Sequence, residues 1–416
     1  MGRKALVWPD YSYIKMKKIL FLGAAHFQLA PILYAKSRGY KIITCDNKPD
    51  NPGHKFADKY YHISTIAKEE ILKISQEEKI DGILTFGSDI SAPTVAYIAE
   101  EMKLIANSRE ATDILVNKSL FRDFLKKKKL QKINFISFDE NQKENALKYL
   151  LNTSWPKVIK PVDSAGSKGV SIICTPEEIL PAIEYAYQES LSKKIIVEDF
   201  IKKKGKQVCG DGYFENGKLK FIYFGDGHFY DDGKHHAPWG ESFPSTHSEK
   251  VLLAAKEKSE KILQELHFRT GPFNIDIFIT SEGEPFINEI GPRSGGNNIP
   301  MAIFLNTGVD MVAGCVESSI DKNFTLPVNP IQSKSCFCSY MLHSKAEKGI
   351  LKEIIFSDEI NIYIYQYSPY LSAGDYVSPF YKGNDAIGNI ILKFDSIEKV
   401  NAIFENIHEH FNIVLK

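Results

Sequence analysis

Apolar runs alternate with a helical pattern at the start of the chain and predict a βαβ unit. Residues 17–22 and 41–45 are short apolar runs, and the stretch between them repeats its apolar positions with a helical period. A third apolar run, 81–86, is followed by the loop 87–89. This alternation is typical of a parallel sheet, which binds ligands at the carboxyl ends of its strands. Gly23 follows the first run alone, so the GxGxxG fingerprint of dinucleotide-binding sheets is absent.

Strand and helix patterns continue through the rest of the chain. Helices are predicted at residues 68–79, 92–102, 114–129, 176–192, 248–266 and 396–411. Strands are predicted at residues 156–161, 170–174, 195–201, 334–342, 360–367 and 390–394. A hairpin is expected at 212–224 with its turn at 215–217, whereas 202–212 is predicted as a polar connector and 228–248 as a long irregular loop, functional or disordered. The patterns from about residue 333 onward predict a separate α+β unit.

A predicted hairpin within residues 273–300 carries two acids in apolar surroundings. Asp276 and Glu289 stand among isoleucine and phenylalanine on its two strands, which a turn at 281–284 joins. Removing two carboxylates from water is costly unless a cation or a donor offsets it, and Mg²⁺ held by carboxylates and nucleotide phosphates would do so. Arg293 and a Gly-Gly-Asn-Asn loop follow, which add a positive fork and a backbone that can approach a ligand closely. The alternative is a plain hairpin with solvent-facing acids and a glycine-rich turn.

The composition is that of an ordinary globular protein. The chain has 416 residues, which suggests two to four domains, and its 43% apolar and 25% charged residues are typical of this class. A net charge of zero gives no overall field toward nucleic acid or a membrane, and the sequence has no bilayer-spanning apolar run and no signal peptide. We therefore expect a cytoplasmic protein without nucleic-acid or membrane partners. Residues 1–15 are treated as a leader or extension outside the fold.

The cysteines are scattered and never form a Cys-x-x-Cys pair. Most lie within apolar runs, which indicates buried free thiols in a reducing compartment. Two of them share one face of a predicted strand, but without other ligands nearby they do not indicate zinc. The six are Cys45, Cys174, Cys209, Cys315, Cys336 and Cys338.

Four separated features indicate a nucleotide triphosphate. Lys118 and Lys160 are single positive charges at the edges of apolar elements. The serine- and glycine-rich loop 164–169 offers hydroxyls and backbone N–H groups that can wrap phosphate oxygens, but it lies between two predicted strands and so is not a Walker A loop. Residues 197–201 end a strand with acids among apolar side chains, an arrangement that can hold adenine. Each feature alone has an ordinary structural explanation, whereas their combination and order favour a nucleotide site.

In these motifs the chain resembles the ATP-grasp enzymes. The closest resemblance is to the branch that contains biotin carboxylase, carbamoyl phosphate synthetase, carboxyaminoimidazole ribonucleotide synthetase and the bacterial L-amino-acid ligases. It covers residues 17 to about 320, and its motifs include VIKP at 158–161, SAGSKGV at 164–170, VEDFI at 197–201 and EIGPR at 289–293.

The resemblance implies a fold of mixed α/β and α+β type, an ATP-grasp fold between two other domains. An N-terminal Rossmann-like domain is expected at 16–112 and the ATP-grasp domain at 113–330, with a smaller lid at about 124–200. A C-terminal α+β domain is expected at 331–416.

The resemblance also implies the cofactors and the residues that bind them. ATP is expected, with Mg²⁺ (usually two ions, with Mn²⁺ as a substitute) on Asp276 and Glu289. The catalytic groups implied are Arg293, beside the transferred phosphoryl group, and Lys160, which neutralises its charge. The residues implied in ATP binding are Lys118, Lys160, Ser164, Ala165, Gly166, Ser167, Gly169, Glu198, Asp199, Phe200, Ile201 and Gln207.

The sequence departs from the family pattern at two positions. Gly291 stands where the family often has asparagine as an additional metal ligand. Either Asn288, Asn297 or Asn298 replaces that ligand, or the second ion is held less tightly. Gln207 stands where a glutamate usually accepts hydrogen bonds from ribose, so it can bond a hydroxyl only without charge.

The implied reaction joins a small carboxylic acid to a small amine. The carboxylate would attack the γ-phosphate of ATP to give an acyl phosphate, and the amine would displace phosphate to leave an amide and ADP. The acceptor region is expected in the loop 228–248, with His235, His236, Trp239 and Glu241. Substrate contacts are expected from Ser88, Asp89, His235, His236, Arg293, Gly295 and Asn297. A homodimer is compatible with these expectations.

Two other functions stay open from the sequence. Bicarbonate could replace the carboxylic acid, which would give carboxyphosphate and a carboxylated product. Alternatively, the chain could bind a nucleotide without turnover. The presence of Lys118, Lys160, Asp276, Glu289 and Arg293 together argues against the second possibility.

Overall fold

The first unit of the fold is a parallel sheet with helices between its strands. The computed structural model describes residues 16–230, 236–329 and 333–416. The unit contains β1 (Lys18–Leu22), α1 (Leu29–Ser37), β2 (Lys41–Asp46), β3 (Lys59–His62), α2 (Lys68–Glu78), β4 (Gly82–Thr85) and α3 (Ala92–Met102). The strand order is β3-β2-β1-β4 and all neighbours are parallel, which confirms the predicted βαβ opening. The loops after β1 and β4 therefore lie together at the carboxyl edge of the sheet.

Two helices follow where the sequence predicted one. They are α4 (Arg109–Val116) and α5 (Lys118–Lys127). Asn117 separates them, because its backbone is extended and its side chain accepts hydrogen bonds from the backbone N–H groups of Ser119 and Leu120, both at 3.1 Å. The predicted helix 114–129 was therefore wrong at its start, and Lys118 becomes the first residue of α5.

A small antiparallel sheet follows in the region predicted as a lid. It is built from β5 (Phe135–Asp139), α6 (Lys143–Leu151), β6 (Lys157–Pro161), β7 (Ser171–Ile173), α7 (Ile179–Glu189) and β8 (Lys194–Asp199). Its strand order is β5-β8-β6-β7, and α6 and α7 pack on it around a separate apolar core. The loop between β6 and β7 carries the serine-glycine motif, so this sheet positions that loop.

The central sheet of eight strands carries the two acids of the hairpin. Its elements up to residue 318 are β9 (Gln207–Glu215), β10 (Lys218–His228), β11 (Gly240–Ser242), α8 (Glu249–Glu265), β12 (Gly271–Ile279), β13 (Pro285–Gly291), α9 (Ile299–Thr307) and α10 (Met311–Ser318). One face packs against α4, α5 and α8, and the other against α9 and α10. Two sequence predictions were wrong here, because β9 already begins within the polar connector and β11 lies inside the loop predicted as irregular.

The C-terminal segment extends the central sheet. Its elements are β14 (Cys336–Leu342), β15 (Gly349–Phe356), α11 (Asp358–Asn361), β16 (Ile364–Pro369), β17 (Tyr376–Val377), β18 (Gly388–Phe394), α12 (Ile397–Phe404) and β19 (Phe411–Leu415). The order of the central sheet is β13-β12-β9-β10-β11-β14-β18-β16, and β17-β15-β19 form a second, three-stranded sheet. The predicted strand 360–367 begins as a helix, and the predicted helix 396–411 ends at Phe404. The spacing of Phe404, Ile407 and Phe411 fits a helix, but pairing of β19 with β15 overrides it.

The cysteines and the helices bear on two expectations from composition. All six cysteines are free, as predicted, but Cys174 is exposed because it follows β7, an edge strand of its sheet. Within the described ranges, no single helix is long and apolar enough to cross a bilayer. The pair α9 and α10, bent by 115°, meets the same criteria of length and composition.

Candidate active site

Two half-buried carboxylates face each other on adjacent strands of the central sheet. Asp276 on β12 is in register with Glu289 on β13, and a bulge follows Asp276. Removal from water and, to a smaller extent, the charge of the neighbouring Glu289 together raise the pKa of Asp276 to about 7. A bound cation would relieve this repulsion. No cluster of three or more acidic, histidine or cysteine ligands occurs in the described ranges, so ligand oxygens would complete the shell around an ion on these two acids.

Gln207 holds one of these acids in place. Its Nε2 donates a hydrogen bond to Asp276 Oδ1 at 2.8 Å. This bond orients the carboxylate in the way that outer hydrogen bonds orient metal ligands. The ribose contact expected of Gln207 stays a prediction, and the structure adds this second role.

Lys118 connects the acids with the serine-glycine loop. Its Nζ donates to the carbonyl oxygen of Ser164 at 2.6 Å and lies 4.0 Å from Glu289 Oε1. Its backbone N–H donates to the carbonyl oxygen of Val162 at 2.8 Å. The first turn of α5 is thereby fixed to both ends of the predicted phosphate site.

Lys160 belongs to a buried ion-pair network. Its Nζ lies 2.7 Å from Glu198 Oε2, and Arg122 Nε donates to Glu198 Oε1 at 2.7 Å. Burial alone would raise the pKa of Glu198, but the two cations lower it to about 2. Arg122 Nη2 also donates to the carbonyl oxygen of Asn288, beside Glu289, at 2.9 Å. The network therefore ties the lid strands to the hairpin that carries the acids.

Arg122 was not identified from the sequence. It lies four residues after Lys118 on α5, so both side chains leave the same face of the helix. That spacing is the signal that a search for phosphate-binding cations could have used. The surrounding lysines of α5 point to solvent and hide it in the sequence.

Both acids of the segment 197–201, which was predicted to hold adenine, form ion pairs with lysines. Glu198 faces Lys160 as described, and the Asp199 carboxylate accepts from Lys157 and, at 2.7 Å, from Asn134 Nδ2. Phe200 is 37% exposed, and Ile201 is half-buried. The adenine role of this segment stays a prediction, and it would fall to the backbone and to the apolar side chains.

The serine-glycine loop takes left-handed backbone angles at three positions. These are Gly166 at φ 68°, Ser167 at φ 62° and Gly169 at φ 72°. At Gly169 a Cβ would lie 2.5 Å from Pro161, so only glycine fits there. Ser167 Oγ donates to the carbonyl oxygen of His236 at 2.8 Å, which brings the loop against the predicted acceptor region. Ala165 is half-buried in the same loop.

Arg293 reaches from the end of the hairpin to the first unit. Its Nη2 pairs with Asp89 Oδ2, in the loop after β4, and its Nη1 donates to the carbonyl oxygen of Ser294 at 3.3 Å. A Cβ on Gly291 would lie 2.5 Å from Asp89 Oδ1 and 3.0 Å from Arg293 Cζ. An asparagine at position 291 would therefore collide with this pair, which explains the departure from the family pattern.

Two buried acids accept hydrogen bonds from the Gly-Gly-Asn-Asn loop, residues 295–298. The N–H of Gly295 donates to Asp211 Oδ2 at 2.7 Å, and burial raises the pKa of Asp211 to about 6. Asn297 Nδ2 donates to Glu241 Oε1 at 3.1 Å, and Asn298 Nδ2 donates to Asn389 Oδ1 at 2.6 Å. Two of the three asparagines considered as replacement metal ligands thus serve other contacts.

The structure describes most of the remaining predicted residues. Ser88 is half-buried, and its Oγ is 2.9 Å from Ser91 Oγ in its own unit. His236 is half-buried next to the serine-glycine loop, whereas His235 lies outside the described residues. Asn288 Oδ1 is 3.4 Å from Arg122 Nη2, so this third asparagine also faces the ion-pair network.

Two family models match parts of this chain. Residues 124–311 match the model described as D-ala D-ala ligase C-terminus, and residues 19–112 match the PylC-like N-terminal domain. The predicted resemblance to the ATP-grasp superfamily is confirmed. As predicted, the chain is an ATP-grasp enzyme of the ADP-forming ligases that make carbon–nitrogen bonds. A curated relative, the formate-dependent phosphoribosylglycinamide formyltransferase of Prochlorococcus marinus (strain NATL2A), is 27% identical over 279 residues, which are 67% of this chain and 70% of the relative.

Solved ATP-grasp structures share the whole architecture. The L-amino acid ligase from Bacillus licheniformis aligns with a TM-score of 0.80 at 17% identity, over 97% of this chain and 100% of that one. The biotin carboxylase domain of a 2-oxoglutarate carboxylase from Hydrogenobacter thermophilus, in complex with MgADP, ADP and bicarbonate, aligns with a TM-score of 0.74 at 15% identity, over 97% and 91%. The predicted ATP-grasp fold, with its N-terminal domain and its C-terminal α+β part, is confirmed.

Proposed function

We propose that this ATP-grasp ligase joins a small carboxylic acid to a small amine through an acyl phosphate, and that it works in the cytoplasm. The observation that carries the proposal is the set of charges at one sheet edge. Asp276 and Glu289 are in register, Lys118 lies 4.0 Å from Glu289, and Arg293 is anchored beside them by Asp89. Phosphoryl transfer needs such positioning and charge neutralisation more than a protein nucleophile.

Each residue has a distinct part in the proposed reaction. Lys118 and Lys160 bind phosphate oxygens of ATP, and Lys160 exchanges its pairing with Glu198 for that contact. Arg293 orients the substrate carboxylate against the γ-phosphate, where it stabilises the charge on the transferring group. The carboxylate oxygen attacks the γ-phosphorus, the bond from that phosphorus to the β-phosphate oxygen breaks, and ADP leaves. The neutral amine nitrogen then attacks the acyl carbon, the bond from that carbon to the phosphate oxygen breaks, and the nitrogen passes a proton to the released phosphate. A divalent ion on Asp276 and Glu289, when bound, would neutralise phosphate charge.

The acid pair also makes metal binding depend on pH. The pKa of Asp276 is about 7, so below that value an incoming ion must displace a proton, and its affinity falls as the pH falls. Mn²⁺, which we propose can replace Mg²⁺, should bind about tenfold more weakly at pH 6 than at pH 8. Electron paramagnetic resonance of Mn²⁺ without nucleotide measures this directly. Equal affinities at the two pH values would contradict the prediction, and Asp276→Asn should bind weakly with little dependence on pH.

ADP release tests the proposed reaction. The protein with Mg·ATP is offered amino acids, dipeptides, sugar acids, formate and bicarbonate, alone and in pairs. Stimulation by an acid and an amine together, with an amide as product, is expected. A requirement for bicarbonate would instead identify a carboxyphosphate-forming enzyme. Nucleotide binding without turnover by any pair would show a protein that has lost catalysis.

A further inference from the structure

Glu241 is a buried acid on the same sheet face as the metal carboxylates. On β11 it lies opposite Gly227 of β10, and Gly227 lies opposite Gln207 of β9. Residues directly opposite each other in a sheet project from one face, so Glu241 and Gln207 share a face. Gln207 in turn bonds Asp276. The residue between them is glycine, and the ring of Phe229 lies 3.0 Å from the position that a Cβ on Gly227 would take.

One oxygen of Glu241 has no partner within the described ranges. The side chain is 2% exposed, and its Oε1 accepts from Asn297 Nδ2 at 3.1 Å, whereas Oε2 is buried and unbonded. Burial, together with the nearby charges of Asp276 and Asp211, raises the pKa of Glu241 to about 8. The groups that shift the pKa of Glu241 include no cation that would lower it. A buried carboxylate oxygen in this state calls for a donor from a ligand.

The surroundings hold the bonded oxygen in place. The carbonyl oxygen of Asn297 accepts from Ser339 Oγ and, at 3.2 Å, from Asn389 Nδ2. Asn389 Nδ2 also donates to Ser339 Oγ at 2.8 Å. These bonds fix the backbone of Asn297, from which its side chain reaches Glu241 Oε1 and leaves Oε2 without a partner.

An aromatic pair from two other parts of the chain lies beside Glu241. Tyr370 follows β16 and stacks on His26, in the loop after β1, with ring centroids 4.7 Å apart and planes at 28°. Burial raises the pKa of Tyr370, and the negative charge of Glu241 acts in the same direction, so the two groups interact electrostatically. The loop after β1 lies at the carboxyl edge of its parallel sheet, where ligands bind.

We propose that Glu241 is the binding residue for the amino group of the acceptor. Its Oε2 accepts a hydrogen bond from a small primary amine that arrives as a cation, and Oε2 takes up one proton from it before the nitrogen attacks, with Tyr370 and His26 on one side of this position. The inference rests on the proposed function and names the class of its second substrate. A cation suits this position because a carboxylate and an aromatic face both attract positive charge. A metal ion suits it less, because no group of three or more acidic, histidine or cysteine ligands occurs in the described ranges.

The test compares a cationic acceptor with a neutral one. Formate, acetate and the twenty amino acids are first screened as acids with Mg·ATP and hydroxylamine, which is uncharged at pH 7.5 and traps acyl phosphates as hydroxamates. The acid found is then used with methylamine, glycinamide and the amino acids as cationic amines. In Glu241→Gln, kcat/KM for the active amine should fall about 10- to 100-fold, the range for loss of a charged hydrogen bond. Hydroxamate formation should change less than about threefold.

The variant Glu241→Asp and a control acid make the outcome decisive. Glu241→Asp keeps the charge and should recover part of the amine activity, whereas Glu353→Gln, at an exposed position of β15, should behave as wild type. Equal losses with hydroxylamine and amine in Glu241→Gln would assign Glu241 a structural role and overturn the inference. Unchanged amine kinetics would overturn it as well. If the wild type forms no hydroxamate with any acid, the proposed function fails first, and the inference fails with it.

Discussion

Replacement of Glu289 by alanine should abolish ligase turnover while the fold stays intact. The change removes one of the two carboxylates at the proposed metal position, and this carboxylate also lies 4.0 Å from Lys118 Nζ. The described ranges contain no group of three or more acidic, histidine or cysteine ligands that would provide an alternative metal site. We expect ADP release to fall at least about 1,000-fold, as for loss of a main electrostatic contribution at a transferring phosphoryl group.

A second variant on the same hairpin controls for stability. Glu282 lies in the exposed turn between β12 and β13, so Glu282→Ala should keep the wild-type rate. Circular dichroism and the thermal midpoint should be alike in both variants and the wild type. Near-normal turnover of Glu289→Ala would refute the assignment of the metal position.

Replacement of Arg122 by methionine should destabilise the protein more than loss of any surface ion pair. Arg122 is fully buried, donates to Glu198 at 2.7 Å and also bonds the Asn288 carbonyl. Its removal leaves the buried carboxylate with Lys160 alone, and breaking a buried pair in this way costs about 3–5 kcal/mol in free energy of unfolding. Equilibrium urea unfolding measures the loss.

Lys128 provides the matched comparison because it directly follows the last residue of the same helix, α5. Its pair with Glu265 has side chains that are 44% and 40% exposed. Lys128→Met should therefore cost less than about 1 kcal/mol. If Arg122→Met costs no more than this control, the buried network contributes nothing beyond an ordinary surface pair. Binding of ATP should also weaken in Arg122→Met, since Lys160 would then be held by Glu198 without competition.

The parts of the site that could be predicted from the sequence are those that short motifs carry. Asp276 and Glu289 flank one tight turn, so their pairing follows from a hairpin of local residues. Lys160 stands before a proline, and Gly166 and Gly169 have positive φ angles, so these residue types indicate the local backbone conformation directly. In each case the neighbours that matter are close along the chain, where apolar period and turn chemistry are informative.

The parts that could not be predicted depend on distant strand pairing. Glu241 meets Ser339 only because β11 pairs with β14, across about 100 residues of chain. Asn389 and Tyr370 arrive from the same C-terminal segment, whose sequence predicted a separate unit. The split between α4 and α5 was missed for another reason. The helical period runs on across Asn117, and only the capping bonds of its side chain reveal the break.

The ion pair between Asp89 and Arg293 affects how kinetic data on this enzyme must be interpreted. Arg293 faces the proposed reaction and also joins the first unit to the central sheet. A slow Arg293 variant therefore mixes two losses, one of charge at the phosphoryl group and one of docking between the units. A double-mutant cycle with Asp89 separates them, because its coupling energy reports the docking contact. The loss that survives in the Asp89 background measures what Arg293 contributes to the chemistry.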